Sequence, residues 1–281
     1  FLATLSREGL VNGDIKQISS ELEDGIRFFD VSADNSTLVY EKDVHLYRMS
    51  LSGGKTAVIN LNIATDYRFD PYEHKTFTSK MENYSVSPNG KYTALIVHGE
   101  VFITENNKDK SLTKNVSNSP AREKDAIWLN DSTVVYSSDR DGQYDLYIVS
   151  SSDSKQTNLF KTLKRTTTKI SSSKLDEHAA LISPNGEQIA FVRGANYGEG
   201  SLITAKISSN GTITSETTLQ KGWSTPSGVG WSPDSKWLAF SMSDLSFNSE
   251  VYIQAADGKT DAINVSMHPR GDYSPVWSPD G

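Results

Sequence analysis

The chain has 281 residues, 36% of them hydrophobic, with 19 glycines, no cysteine and a formal net charge of −7. The acidic balance leaves no basic footprint for nucleic acid, the missing cysteines exclude disulfide and thiolate chemistry, and no apolar run approaches the ~18 residues that span a bilayer. Without cysteine as a redox marker, the periplasm and the cytoplasm are both compatible compartments, with the periplasm slightly favoured.

The first stretch, "FLATLSREGLVNGDIKQIS", reads as two strands of a sheet whose first strand is missing. "SSELEDGI" near residue 20 is the best helical candidate, but it is too short to stand alone. From there a turn signal recurs. It stands as "VSADN" ending at Asn35, "VSPNG" at Gly90, "WLNDS" at Ser132, "ISPNG" at Gly186, "WSPDS" at Ser235 and "SPDG" at Gly281. Proline presets φ at the first central position of a β-turn, aspartate or asparagine suits the next, and glycine closes it without steric cost. The turns begin at 32, 87, 129, 183, 232 and 278. That is a period of roughly 40–50 residues, the spacing of propeller repeats.

After each turn comes a short apolar strand: "STLVYEKD", "KYTALIVHG", "STVVYSSDRDG", "EQIAFVRG" and "KWLAFSMSD". A polar turn and a second strand follow ("VHLYRM", "GEVFIT", "YDLYIV", "SLITAKI", "EVYIQA"), then a weaker fourth strand such as "KTAVIN" or "KSLTKN". Near-period-two alternation and frequent β-branched and aromatic residues mark these as strands. The expected fold is an all-β propeller of four-stranded antiparallel blades, about six in number. Complete units are expected at 26–81, 82–122, 123–176, 177–225 and 226–271, with partial blades at 1–25 and 272–281. The two partial blades either complete one another and close a ring, or are cut ends of a longer array.

The residues from Ser87 to Ser150 carry a more specific pattern: Gly99-Glu100-Val101-Phe102, Leu112-Thr113, Arg122-Glu123, Ser138-Asp139 and Tyr144-Asp145-Leu146-Tyr147. This stretch resembles the propeller region of tricorn-type proteases, serine peptidases of the C-terminal-processing type. The stretch from Trp231 to Ile253 looks like another blade of that region. The repeat itself is shared more widely with TolB-type and prolyl-oligopeptidase-type propellers. "WLNDS" departs from the usual tryptophan followed by Ser-Pro-Asp-Gly, though its turn can still form. The resemblance implies a catalytic serine in a later domain with no matching position here, so no catalytic residue is carried over.

A direct search for chemistry agrees. His45, His74, His98, His178 and His268 are scattered over different repeats with no G-x-S-x-G elbow beside them. No zinc or phosphate-loop motif is present, and no cofactor is called for. "DRDGQYD" places Asp139, Asp141 and Asp145 around Gly142. It mimics a calcium loop but reads better as a hairpin turn. Trp128, Trp231 and Trp277 repeat ahead of their turns and read as packing between blades. Trp223 is out of register and reads as a loop contact or a blade cap. The six N-x-S/T sequons at Asn35, Asn83, Asn115, Asn130, Asn210 and Asn264 follow from a composition rich in Asn, Ser and Thr.

Ligands on such folds meet loops rather than strands. The loop face would carry Arg122, Glu123, Asp139, Arg140, Tyr144, Arg193, Asn196, Tyr197, Trp223, Asp244 and Asn248 as candidate binding residues, with rim arginines pairing with peptide carboxylates. The bland alternative is a solvated polar rim. Two functions follow: a non-catalytic propeller region that admits, filters or binds peptide or unfolded polypeptide for a peptidase domain outside this chain, or a stand-alone TolB-like module for a protein partner. Coding sequence beyond Gly281 separates them.

Overall fold

The structure, a computed structural model, describes all residues except 1, 5, 10, 19–24, 43, 54, 63–75, 78, 110–111 and 196–197. The helical candidate near residue 20, His74, Asn196 and Tyr197 lie wholly or largely outside the described residues. The chain divides into two units, 1–75 and 76–281. No helix is present among the described residues.

The first unit holds one antiparallel meander: β1 (Phe29–Val31), β2 (Thr37–Lys42), β3 (His45–Ser50) and β4 (Ala57–Ile59). Its small core is Leu38, Tyr40 and Met49, with Tyr47 stacked on Tyr40. Ahead of it, Leu2 and Lys16 exchange both backbone hydrogen bonds in an isolated antiparallel bridge.

The second unit holds four more meanders. They are β5 (Met81–Val86), β6 (Tyr92–Val97), β7 (Glu100–Glu105) and β8 (Thr113–Asn115); then β9 (Glu123–Asn130), β10 (Thr133–Ser138), β11 (Asp145–Ser151) and β12 (Arg165–Lys169). After these come β13 (Glu177–Ile182), β14 (Gln188–Gly194), β15 (Gly200–Ile207) and β16 (Ile213–Gly222), and last β17 (Ser227–Trp231), β18 (Trp237–Ser243), β19 (Ser249–Ala255) and β20 (Ile263–Asn264). Each sheet pairs its strands in chain order. These five sheets are blades of a β-propeller, as the repeats predict.

Period-two alternation explains why the sheets stack. Strand β10 is buried on both faces. Val134 and Tyr136 enter one core with Ile96, Ile103 and Trp128 of its surroundings, while Val135 enters the next with Phe191 and Ile203. In β14 the same split sends Ile189 and Phe191 one way and Ala190 the other, to Leu238 and Phe240. A strand sends successive side chains to opposite faces, so each middle sheet feeds two cores and has none of its own. Each large side chain fully buried in this way contributes about 1.5–3 kcal/mol.

The recurrent turns are braced alike. Ser32, Ser87, Ser183 and Ser232 each donate from the hydroxyl to the acidic or amide side chain two residues on, and each accepts the backbone N–H five residues on. The serine therefore does the work of a backbone turn bond. "WLNDS" is one residue shorter, and there the Asn130 side chain accepts the Ser132 N–H instead.

Tyr273 to Trp277, expected as a strand, pairs with no strand. It lies against β17, where a Cβ on Gly228 would come within 3.1 Å of the Ser274 Cα.

Candidate functional site

The first strands of the sheets in the second unit carry a shared irregularity. Pairing slips by a residue in β5, β9, β13 and β17. Asp125 (φ 56°), Ala179 (φ 54°), Gly228 (φ 58°) and Ser274 (φ 53°) are left-handed, each three residues before Trp128, Ile182, Trp231 or Trp277. A bulge leaves one residue out of the ladder and re-aims its neighbours. These strands are also the free edges of their sheets. Together they line a cavity of about 310 Å³, formed by residues 83–85, 125–127, 179–181 and 226–229 with Val192.

Asp125 is the one charged side chain lining this cavity. Its Oδ2 accepts the Ala179 N–H at 2.9 Å, which ties two neighbouring inner strands together. The Oδ1 of Asn83, in the same lining, is buried without a partner among the described residues. Beside Asp125, burial holds Lys124 below the ordinary lysine range, and its Nζ sits 3.9 Å from the centre of the Tyr144 ring.

On the loop face, two sheets build the same ion pair. Glu123 opens β9 with no exposed surface, and Arg140 Nη2 reaches its Oε1 at 3.1 Å. The Ser138 hydroxyl donates to the same oxygen. Arg140 also bonds the Tyr136 hydroxyl and lies over the Tyr147 ring at 4.6 Å. Glu177 opens β13 with no exposed surface either, and Arg193 meets it at 2.7 Å while bonding Glu216 at 2.8 Å. In both glutamates Oε2 is buried without a partner among the described residues. Burial raises the Glu123 carboxyl above its usual range, although Ser138 and Arg140 pull it back.

The other candidates spread out. The Asp139 carboxylate accepts the Arg122 N–H, whereas the Arg122 side chain is exposed and packs over Gly99. Gly142 is left-handed (φ 93°) and closes the hairpin onto the Asp139 carbonyl. Asp141 accepts from the Tyr147 hydroxyl at 2.6 Å, and buried Asp145 pairs with Lys169 at 2.6 Å. Each of these carboxylates thus has its own partner. Asp244 caps a tight turn to Asn248, which bonds Glu250. Trp223 meets Phe247 edge to face. Arg140 and Arg193 are therefore committed to buried glutamates, because a carboxylate without surface needs a cation beside it.

The sequence reading missed Asp125, Asn83 and the bulges. The available signal was the small or short polar residue, Asp, Ala, Gly or Ser, three places before each Trp or Ile. His178 is buried at the start of β13, its Nε2 without a partner among the described residues, and burial lowers its pKa from the ordinary value. His45 opens β3, His98 sits in the turn between β6 and β7, and His268 follows β20.

No family model matches the chain, and no curated protein matches it. Among solved structures it is similar to the tricorn protease over 98% of its length, at 14% identity and a TM-score of 0.52, and spans 25% of that chain. It is similar to puromycin hydrolase over 90% of its length, at 12% identity and a TM-score of 0.52, and spans 41% of it. A TolB from Agrobacterium tumefaciens is covered over 88% of its own chain, at 17% identity and a TM-score of 0.50. At these identities the likeness is one of fold: a propeller of the kind found in TolB and in peptidases. Among the described residues no helix is long and apolar enough to cross a membrane.

Proposed function

We propose that this chain is a non-catalytic propeller that binds unfolded polypeptide for a serine peptidase domain of the tricorn type. The inner-edge cavity carries the reading. Four free sheet edges meet there, and the lining offers one carboxylate, Asp125, and one buried unpartnered acceptor, Asn83 Oδ1. Such a lining suits a ligand that brings hydrogen-bond donors and positive charge, as a lysine-bearing peptide does. The propeller neighbours that are peptidases are consistent with it.

Binding of a fluorescent lysine-bearing unfolded peptide tests the reading. Saturable binding without cleavage is expected, and Asp125→Asn, which keeps an oxygen for the Ala179 N–H, weakens it about fivefold or more by removing a charge-assisted hydrogen bond. Absence of binding, or turnover of the peptide, overturns it.

A further inference from the structure

A second cavity, of about 360 Å³, opens at the loop end of the last sheet. Its walls come from the segment between β16 and β17, the β18–β19 turn and Tyr273. Three aromatic rings stand around it while remaining well exposed: Trp223 at 44%, Phe247 at 81% and Tyr273 at 69%. Trp223 and Phe247 hold each other edge to face with ring centres 5.1 Å apart. Met242 and several serines make up much of the remaining wall, and no charged side chain lines it.

Phe247 is in the wrong place for stability. The Asp244–Asn248 turn puts it in the left-handed region (φ 62°), with its N–H bonded back to the Asp244 carbonyl. Glycine suits that position, and a bulky side chain is strained there. A ring that is four-fifths exposed buries little apolar surface, so the fold gains little from it beyond the edge contact with Trp223. Thr225 fixes the opposite wall by bonding the carbonyls of Ala195 and Gly198. Ser227 lines both this cavity and the inner-edge cavity, so the two adjoin.

We infer that this pocket is the specificity-determining subsite of the propeller, taking one uncharged aromatic side chain of the polypeptide whose chain lies at the inner-edge cavity. The inference rests on the peptide-binding reading above. Aromatic residues that a bound side chain would cover are where binding energy concentrates. A lining without a positive charge penalises a carboxylate, which would lose water with no counter-ion to replace it.

The test uses short Gly/Ser-rich lysine-bearing peptides that differ at one central position: phenylalanine, alanine or aspartate. Wild type should bind the phenylalanine peptide about tenfold or more tighter than the aspartate peptide, the size of step an apolar pocket supplies. Phe247→Gly relieves the turn and so preserves the fold, and should bring the three affinities together while the alanine peptide binds as before. Trp223→Ala should do the same. Binding of all three peptides with equal affinity, or discrimination that survives Phe247→Gly, overturns the subsite and leaves the peptide-binding reading standing. Binding of none overturns both.

Discussion

The indole N–H of Trp277 donates to the backbone carbonyl of Gly230 at 3.1 Å. Trp231 makes the same bond to Leu181 at 3.3 Å, and Trp128 makes it to Ser85 at 3.1 Å. In each case the ring reaches back to the first strand of the preceding sheet, from β9, from β17 or from the unpaired segment ending at Trp277, so a single side chain both packs against that strand and donates to one of its carbonyls. Sheet-to-sheet registration is written into a tryptophan at three of these positions, whereas Ile182 holds the equivalent place in β13 and makes no such bond.

Replacing Trp231 with Phe keeps most of the packing and removes that bond. A fully buried carbonyl left unpaired costs about 1–3 kcal/mol, and the half-buried Leu181 carbonyl belongs at the low end. Urea unfolding of Trp231→Phe should show a loss in this range. Trp128→Phe should lose more, because Trp128 is buried whereas Trp231 is only half-buried.

Arg140→Met strands the buried Glu123 carboxylate. Removing one partner of a buried pair costs about 3–5 kcal/mol, and the value here belongs at the low end because Arg140 is 23% exposed and Ser138 still donates. The pH dependence gives the sign. Burial already raises the Glu123 carboxyl in the fold, and loss of the cation raises it further. The folded state then holds a proton that the unfolded chain gives up above 4.5. Stability of the variant relative to wild type should therefore improve as pH falls towards 4.5. Thermal melts of both proteins between neutral and mildly acid pH measure this.

His178 works in the opposite sense. Its folded pKa is depressed by burial from the ordinary 6.5. Below that value the unfolded chain binds a proton that the fold refuses, so stability should fall as pH drops from 6.5 through the folded pKa. His178→Gln should flatten that slope in the same melts. A wild-type slope left unchanged by the substitution would contradict the assignment.

Gly228→Ala puts a methyl group at φ 58°, with its Cβ 3.1 Å from the Ser274 Cα. Strain at a left-handed non-glycine residue costs about 1–3 kcal/mol, and the close approach adds to it. The segment from Tyr273 to Trp277 should loosen from β17. Limited chymotrypsin digestion should then cut near Tyr273 faster than in wild type.

The blades were legible because turn chemistry and period-two patterning agree in every repeat. Ser-Pro-Asn-Gly at Ser183 and the apolar run Ile189 to Val192 point to one answer. The role of Trp128, Trp231 and Trp277 as interblade packing was legible for the same reason. The loop face was read only in part. Arg140 and Arg193 look like free rim cations in the sequence, because nothing local shows that Glu123 and Glu177, some sixteen residues earlier, lose all contact with solvent. The inner-edge cavity was not read at all. A bulge is a property of pairing between strands, and Asp125 or Ala179 carries no residue type that demands a positive φ. Phe247 was missed because an aromatic residue in a polar turn looks like noise until Trp223 is placed against it.

The bulges carry one more consequence. Because Asp125, Ala179 and Gly228 break the ladder at matching positions, the free edges of β9, β13 and β17 offer no unbroken row of amides. A visiting chain cannot be knitted on as a fifth strand, the route by which sheet edges grow into fibres. Contact along these edges is restricted to a few separate bonds.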